Sequence, residues 1–135
     1  MQTVEREETA SYGIVSADTP KEKVSRISGI VEKPKPADAP STLAVVGRYV
    51  LSPRIFDYLA STRPGAGREI QLTDAIGRLL RDEDVLAYQF AGTRYDCGNK
   101  LGYLQATVEL ALKHPELSGD FRAYLLALAK AAKVR

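Results

Sequence analysis

Apolar and polar positions alternate roughly along Val24–Val31, and a short run rich in β-formers, Ser11–Ser16, precedes this stretch. Alternation of this kind is typical of β-strands, because successive side chains of a strand point to opposite faces. The residues between them, 17–23, are rich in turn formers. The pattern therefore predicts a β-hairpin over residues 11–31.

Other stretches indicate further strands. Leu43–Leu51 begins with a near-continuous apolar run, which predicts a strand buried on both faces, as in sheets covered by helices. Val85–Phe90 predicts one more strand, and Thr3-Val4 is a candidate for the tail of another.

Helical patterns occupy most of the remaining chain. Ser52 as a cap and Pro53 in the first turn predict a short helix, and a second helix begins in Glu69–Ile76. Asn99 or Asp96 can cap a third. A terminal helix is expected within 116–135. The apolar residues that we expect on the buried faces of these helices are Ile55, Phe56, Tyr58, Leu59, Leu72, Ile76, Leu79, Leu80, Leu101, Leu104, Val108, Leu112, Phe121, Leu125, Leu126 and Leu128.

The order of these elements predicts an α/β fold, with four or five strands first interleaved with helices and then followed by them. A chain of 135 residues is long enough for one domain with a core. Its apolar fraction of 44% and charged fraction of 27% are ordinary for a globular protein. The net charge of +2 comes from interspersed residues, so a nucleic-acid partner and a polybasic membrane surface are not expected.

Cys97 is the only cysteine, which excludes an internal disulfide and a metal site built from cysteines. Cysteine usage of this kind favours a reducing, cytoplasmic setting. No window approaches the length of an apolar membrane span, and the first ten residues lack the features of a signal peptide. We expect a cytoplasmic protein without a membrane segment.

The most informative polar pair is Glu32-Lys33, which follows an apolar strand and precedes Pro34. Proline prevents a central strand from continuing, and open α/β sheets hold ligands outside the ends of their strands. Glu32 could accept hydrogen bonds from sugar hydroxyls, and Lys33 could pair with a phosphate. The alternative is a solvated charge pair at a strand end, which these residues taken alone favour.

Two glycines and one aspartate are further candidates. Gly13 and Gly47 lie inside predicted strands, where glycine indicates either a bulge or close approach of a ligand or another backbone. Asp96 lies between a strand and a helix and could bind Mg²⁺ together with phosphate oxygens, or could simply cap a turn. Cys97 has no plausible histidine partner for nucleophilic catalysis, since His114 fits a helix end better.

Six stretches, in this order, closely resemble the C-terminal half of bacterial UTP–glucose-1-phosphate uridylyltransferases, also called UDP-glucose pyrophosphorylases. The resemblance extends from about Ser11 to Phe121. The matching stretches are Tyr12–Val15, Gly29–Pro34, Leu43–Leu51, Pro64–Gly67, Glu69–Ile76 and Tyr95–Tyr103.

The resemblance implies part of a Rossmann-like nucleotidyltransferase sheet with flanking and C-terminal helices. It also implies a reaction in which glucose 1-phosphate attacks the α-phosphorus of UTP in line, with Mg²⁺, and releases pyrophosphate. Catalysis of this type depends on positioning and on charge stabilisation. By resemblance, Glu32 holds glucose hydroxyls, and Lys33 binds the glucose phosphate as a catalytic residue.

The same resemblance places Tyr12, Gly13 and Gly47 in the lining of the sugar pocket. It makes Asp96 one of two aspartates that bind the metal. The Asp96–Lys100 stretch favours the branch of the family that makes UDP-glucose over branches that use other nucleotides or sugars.

The family's nucleotide loop, its uracil contacts and its other metal-binding aspartate belong to the N-terminal half, and we find no counterpart here. We therefore expect residues 1–135 to form the sugar-phosphate-binding part of such an enzyme, and we expect this part alone not to catalyse the reaction. A truncated sheet would expose an edge and apolar faces, so we expect a homo-oligomer or a part of a longer protein. The alternative is a non-catalytic sugar-nucleotide-binding or oligomerisation module.

Overall fold

The computed structural model describes residues 1–65 and 68–132. Its backbone divides into two compact units, Met1–Gly92 and Thr93–Arg135. Ala66 and Gly67, the second half of the predicted Pro64–Gly67 loop, lie outside the described residues.

The first unit is built on a five-stranded sheet with the order β1-β4-β2-β3-β5. Each neighbouring pair runs antiparallel. The strands are β1 (Gln2–Thr3), β2 (Gly13–Ala17), β3 (Val24–Glu32), β4 (Leu43–Ala44) and β5 (Leu86–Tyr88).

The predicted hairpin is confirmed, since β2 and β3 pair from Gly13 opposite Glu32 to Ala17 opposite Ile27. The register shifts between Ser16 and Ala17, where an extra residue in β3 bends the pair. Gly13 itself pairs with Glu32 in a regular part of the β2–β3 ladder. The bulge interpretation of this glycine is therefore wrong. The atoms closest to it belong to side chains, so the other interpretation, close approach of a ligand or another backbone, stays a prediction.

The strand predicted over Leu43–Leu51 is far shorter than expected. Only Leu43 and Ala44 pair in the sheet, and both are buried. The chain then leaves the sheet, because Gly47 adopts a φ of +76°, which an extended strand does not contain. Val50 is fully exposed, so burial on both faces does not extend beyond the start of this stretch.

Two helices of the first unit, α1 (Ile55–Ala60) and α2 (Leu72–Leu79), contact each other, and α2 also contacts β3. The core of this unit joins both helices to the sheet. Its buried members are Val15, Ile27, Leu43, Ile55, Ala75, Ile76, Leu79 and Ala87.

The predicted start of α1 is wrong by two residues. The helix begins at Ile55 with Arg54 at the cap, and its cap has no side-chain hydrogen bond. Ser52 instead accepts the Ile55 amide through its backbone carbonyl. Phe56, expected on the buried face, is exposed, because the buried stripe of this helix starts at Ile55 and continues through partly buried Tyr58 and Leu59.

A 3-10 helix at Arg6–Ser11 has no counterpart in the sequence prediction. It packs through buried Thr9, whose hydroxyl donates to the Arg6 carbonyl at 2.7 Å. The Arg6 guanidinium donates to the Ala39 carbonyl at 2.7 Å. This segment therefore anchors the proline-rich connection between β3 and β4.

The second unit contains α3 (Lys100–Ala111) and α4 (Ser118–Ala132). Asn99 caps α3 as predicted, accepting the Gly102 amide at 2.7 Å. The predicted buried faces are confirmed only in part. The fully buried residues of α3 are Gly102 and Ala106, and α4 has none. Of the predicted residues, Val108, Leu112, Phe121 and Leu125 are half-buried, whereas Leu101, Leu104, Leu126 and Leu128 are exposed. Within the described residues, no helix has the length and apolar character needed to cross a membrane.

Candidate active site

The end of β3 turns sharply at the predicted charge pair. The Lys33 amide still donates to the Tyr12 carbonyl, at 3.0 Å, so the backbone remains bonded to β2. Lys33 itself has a φ of +44°, a left-handed conformation that is uncommon for a side chain of this size. Pro34 follows it and is buried. The ladder therefore ends at one residue, and the direction of the chain changes there.

The Glu32 carboxylate is held by two neighbours. Its Oε2 accepts a hydrogen bond from the Thr73 hydroxyl at 3.0 Å, and its Oε1 lies 3.8 Å from the Lys33 ammonium. The Glu32 side chain is only 17% exposed, whereas Lys33 is 56% exposed. Carboxylate oxygens have several acceptor positions, so Glu32 retains acceptor capacity for a bound hydroxyl.

Gly13 lies directly opposite Glu32 in the β2–β3 ladder. A Cβ at Gly13 would lie 2.9 Å from the Thr73 methyl, 3.0 Å from a Val45 methyl and 3.3 Å from Glu32 Oε2. Gly13 is also buried. Glycine is required here because the Thr73 and Glu32 side chains occupy the space that any side chain would need.

An open cavity of about 780 Å³ lies in the first unit. Gly47 lines it, with Tyr49 and a mostly apolar wall that includes Ile30 and Phe90. Gly47 has a φ of +76°, and open space surrounds the position of a Cβ. Glycine at 47 is therefore required by its backbone conformation and not by a close neighbour.

Tyr49 connects the cavity to the charge pair electrostatically. Burial raises the pKa of the Tyr49 hydroxyl, and the negative charge of Glu32 raises it further. A phenol with a raised pKa stays neutral over a wider range of pH. Tyr49 therefore presents a protonated hydroxyl at this cavity wall.

The structure thus brings four of the six sequence-predicted site residues to one place. Tyr12, Gly13, Glu32 and Lys33 meet at the same end of the β2–β3 pair. Gly47 lines the cavity of the same unit. Asp96 belongs to the second unit, so it is described on its own.

Asp96 lies in the loop before α3. Its Oδ1 accepts the Gly98 amide at 3.0 Å, and its Oδ2 lies 3.6 Å from the Arg94 guanidinium. The Asp96 carbonyl accepts from Asn99, and a Cβ at Gly102 would overlap that carbonyl. The described part of the chain contains no group of three His, Cys, Asp or Glu residues arranged to hold a metal.

Asp96 nevertheless fits the manner in which Mg²⁺ is commonly bound, through one or two carboxylates with the remaining positions filled by water and substrate phosphates. Its side chain is 37% exposed, and each carboxylate oxygen can accept more than one partner. Asp96 therefore fits the role of one protein ligand of Mg²⁺, and not that of a member of a cage made only of protein ligands.

The sequence pattern of the nucleotidyl transferase family matches residues 1–113. The chain belongs to the nucleotidyl transferase family. This nucleotidyl transferase chain is 48% identical, over 95% of its length, to a protein from Staphylococcus epidermidis named UTP–glucose-1-phosphate uridylyltransferase. It is 45% identical, again over 95% of its length, to UTP–glucose-1-phosphate uridylyltransferase 2 of Streptococcus pyogenes.

Solved structures agree with this assignment. A UDP-glucose pyrophosphorylase complexed with UDP-glucose aligns with a TM-score of 0.79 and 44% identity over 84% of this chain and 43% of its own. A UTP-bound UGPase from Acinetobacter baumannii aligns with a TM-score of 0.80 and 42% identity over 92% of this chain and 42% of its own. The predicted α/β nucleotidyltransferase fold is therefore confirmed.

This nucleotidyl transferase chain spans about 44% of the length of the curated relatives that it matches. A match of this length agrees with the expectation that the chain corresponds to part of the family's length. The assignment to the C-terminal half stays a prediction, as do the roles of the individual site residues.

Sequence reasoning missed two residues of this candidate site, Thr73 and Tyr49. Thr73 was part of a matching stretch, but no role was inferred for it. The available signal was a threonine on the apolar stripe of α2, beside Ala75 and Ile76, where a buried polar group requires a partner. Tyr49 was interpreted as part of a strand, which concealed its place in the cavity wall.

Proposed function

We propose that this chain provides the sugar-phosphate-binding part of a UTP–glucose-1-phosphate uridylyltransferase. The names of the relatives and of the solved structures, at 42–48% identity, support this reaction. The reaction forms a bond between a glucose 1-phosphate oxygen and the α-phosphorus of UTP. The bond from that phosphorus to the bridging oxygen breaks, and pyrophosphate leaves.

The observation that carries the proposal is the arrangement of Glu32 and Lys33. A partly buried carboxylate with a fixed orientation is suited to sugar hydroxyls, because they are hydrogen-bond donors that discriminate by position. An exposed ammonium beside it is suited to a phosphate. The two charges lie 3.8 Å apart at one strand end, a separation that one sugar phosphate can bridge.

In this proposal the residues of the chain bind and orient the nucleophile. Lys33 neutralises part of the charge of the glucose phosphate, while Tyr12, Gly13 and Gly47 shape the sugar pocket. Mg²⁺, when bound, neutralises phosphate charge, and Asp96 would be one of its ligands. Because the chain spans 44% of its relatives, turnover requires groups that the rest of the family's length supplies. We also propose a cytoplasmic location.

The direct test is calorimetric titration of the purified chain with UDP-glucose, and separately with UDP, in the presence of Mg²⁺. We expect UDP-glucose to bind more tightly, because only UDP-glucose carries the sugar that Glu32 recognises. Equal affinities, or no binding of UDP-glucose, would contradict the proposal. In a parallel assay with UTP, glucose 1-phosphate and Mg²⁺, we expect no release of pyrophosphate at the rate of the Staphylococcus epidermidis relative.

Exposed apolar side chains on α3 and α4 favour a second candidate, a homo-oligomerisation module. Contiguous apolar exposure commonly marks an interaction surface. The exposed residues are Leu101, Tyr103, Leu104, Leu110, Leu117, Tyr124, Leu126 and Leu128. Concentration-dependent sedimentation without UDP-glucose binding would support this candidate alone, whereas both results together would support the two roles in one chain.

A further inference from the structure

We infer that Thr73 is a positioning residue that fixes the Glu32 carboxylate for sugar recognition. The inference rests on the proposed function and deepens it, because it names the group on which the sugar-binding carboxylate depends. Thr73 lies in the first turn of α2, 4% exposed, whereas Glu32 ends β3. The pair therefore links a helix to a strand, and the two residues are 41 positions apart in the chain.

The Thr73 hydroxyl has one hydrogen to donate, and it donates this hydrogen to Glu32 Oε2 at 3.0 Å. Threonine within a helix commonly bonds the carbonyl of the preceding turn. Here the hydrogen is directed to another element. Since the donor is buried and its partner is charged, this bond belongs to the stronger class of protein hydrogen bonds.

The two ends of the Glu32 carboxylate are held differently. Oε2 is held by the buried Thr73 hydroxyl, while Oε1 faces the exposed ammonium of Lys33 at 3.8 Å. A phosphate bound to Lys33 would weaken the ammonium's attraction for Glu32. Thr73 is then the contact that keeps the carboxylate in place while substrate is bound.

The surroundings of Thr73 also restrict its side chain. Its methyl group fills the space at Gly13, where a Cβ would lie 2.9 Å away. This methyl contact fixes the direction of the hydroxyl, because the two substituents share one Cβ with few allowed rotamers. Gly13, Thr73 and Glu32 therefore pack as one cluster. The absence of a side chain at Gly13 leaves room for the Thr73 methyl, and the Thr73 hydroxyl in turn limits the position of the Glu32 carboxylate.

The test uses the full chain with three variants. Thr73→Val removes the hydroxyl at nearly constant volume, and Thr73→Ser restores it without the methyl. Thr9→Val is the matched control, since Thr9 is also a buried threonine of the same unit but donates to a backbone carbonyl. For each variant the affinity for UDP-glucose is divided by the affinity for UDP, which isolates the contribution of the sugar.

We expect Thr73→Val to lower this affinity ratio about tenfold, the effect of one lost positioning hydrogen bond. Thr73→Ser should retain most of it, and Thr9→Val should leave it unchanged. An unchanged ratio in Thr73→Val would overturn the inference, as would an equal loss in Thr9→Val. If the unmodified chain does not distinguish UDP-glucose from UDP, the proposed function fails, and the role of Thr73 is decided by a second measurement.

That measurement is the titration of Tyr49, followed by nuclear magnetic resonance of labelled tyrosine. Glu32 raises the pKa of Tyr49, so a carboxylate released from its position should raise it less. The pKa of Tyr49 should fall in Thr73→Val, fall by less in Thr73→Ser, which keeps the hydroxyl but lacks the methyl that directs it, and stay unchanged in Thr9→Val. A Tyr49 pKa that does not respond to loss of the Thr73 hydroxyl would show that Thr73 does not position Glu32.

Discussion

The Lys33 amide donates to the Tyr12 carbonyl at 3.0 Å while Lys33 holds a φ of +44°. The last bond of the β2–β3 ladder is thus made by a residue in the left-handed conformation. Left-handed backbone costs about 1–2 kcal/mol for a residue with a Cβ. The residue that we propose to bind the glucose phosphate therefore lies at a strained backbone position.

Replacement of Lys33 by glycine tests how the left-handed backbone at this position affects the stability of the chain. Glycine adopts the left-handed conformation without the Cβ penalty, although it loses more chain entropy on folding. We expect Lys33→Gly to raise the free energy of unfolding by about 0.5–1 kcal/mol, measured by urea denaturation. Lys35→Gly is the control, because Lys35 is exposed without a positive φ. A gain of the same size in Lys35→Gly would contradict this explanation.

Replacement of Lys33 by alanine should weaken binding of glucose 1-phosphate and UDP-glucose. A charge-assisted contact to phosphate corresponds to roughly ten- to a hundredfold in affinity. Calorimetric titration gives the value directly. Lys35→Ala, a neighbouring exposed lysine, should bind as the unmodified chain does. Unchanged affinity in Lys33→Ala would remove this lysine from the proposed site.

Replacement of Gly13 by alanine should destabilise the first unit by about 1–3 kcal/mol, the usual effect of an overpacked core. The new Cβ would lie 2.9 Å from the Thr73 methyl. Gly29→Ala on the partner strand provides the control, because its nearest neighbour, Ser16 Oγ, would lie at an ordinary 3.6 Å. Thermal unfolding of both variants checks the difference. Equal losses would contradict the close packing of Thr73 and Glu32 at Gly13 as the cause.

Stability should decrease in strongly alkaline solution because of Tyr49. Its pKa is raised in the folded chain by burial and by Glu32, so the folded state keeps a proton that the unfolded state releases. The stabilisation is complete below the unfolded pKa of about 10 and is lost as pH rises through the higher folded pKa. Tyr49→Phe should flatten this decrease in urea denaturation across that window. A decrease of the same slope in Tyr49→Phe would exclude Tyr49 as its cause.

Replacement of Asp96 by asparagine should reduce the dependence of UDP-glucose binding on Mg²⁺. Asparagine keeps an acceptor for the Gly98 amide but removes the charge that favours a hard cation. The measurement compares affinities with and without Mg²⁺, and Asp120→Asn on α4 is the control. The proposed metal role of Asp96 fails if both variants keep the full response to Mg²⁺.

Charge placed on the exposed apolar side chains of the second unit should abolish self-association. Leu104→Glu and Leu126→Glu each introduce a carboxylate on an exposed leucine. Analytical ultracentrifugation should show a monomer for these variants, and an oligomer for the unmodified chain at the same concentration. Lys130→Glu, a charge change at another site of α4, should leave the oligomer intact. A monomeric unmodified chain would contradict the proposal.

The local sequence pattern predicted the elements correctly where neighbouring residues strongly prefer one type of secondary structure. The alternation of Val24–Val31 gave the hairpin correctly, and the polarity of Asn99 gave the cap of α3. The pattern failed over Leu43–Leu51, because a run of apolar residues is also what a cavity wall requires. Gly47 turns the chain out of the sheet, and a φ angle cannot be inferred from composition.

The candidate site could be predicted only in part for a related reason. Glu32 and Lys33 were found because they follow an apolar strand and precede a proline, and Gly13 because it is a glycine inside a predicted strand. Thr73 lies far along the chain and reaches Glu32 only through the packing of α2 on the sheet. Sequence reasoning detects such a residue as a polar group on an apolar stripe, but it does not identify the partner.

The Glu32–Thr73 contact also constrains the order in which the site can form. A hairpin closes early in folding because its contacts are local, whereas a contact across 41 residues must await a longer loop closure. An intermediate with β2 and β3 paired but α2 undocked would hold Glu32 and Lys33 at the strand end with an unrestrained carboxylate. Sugar recognition of the proposed kind is thus a property of the completed core, acquired later than the hairpin that carries it.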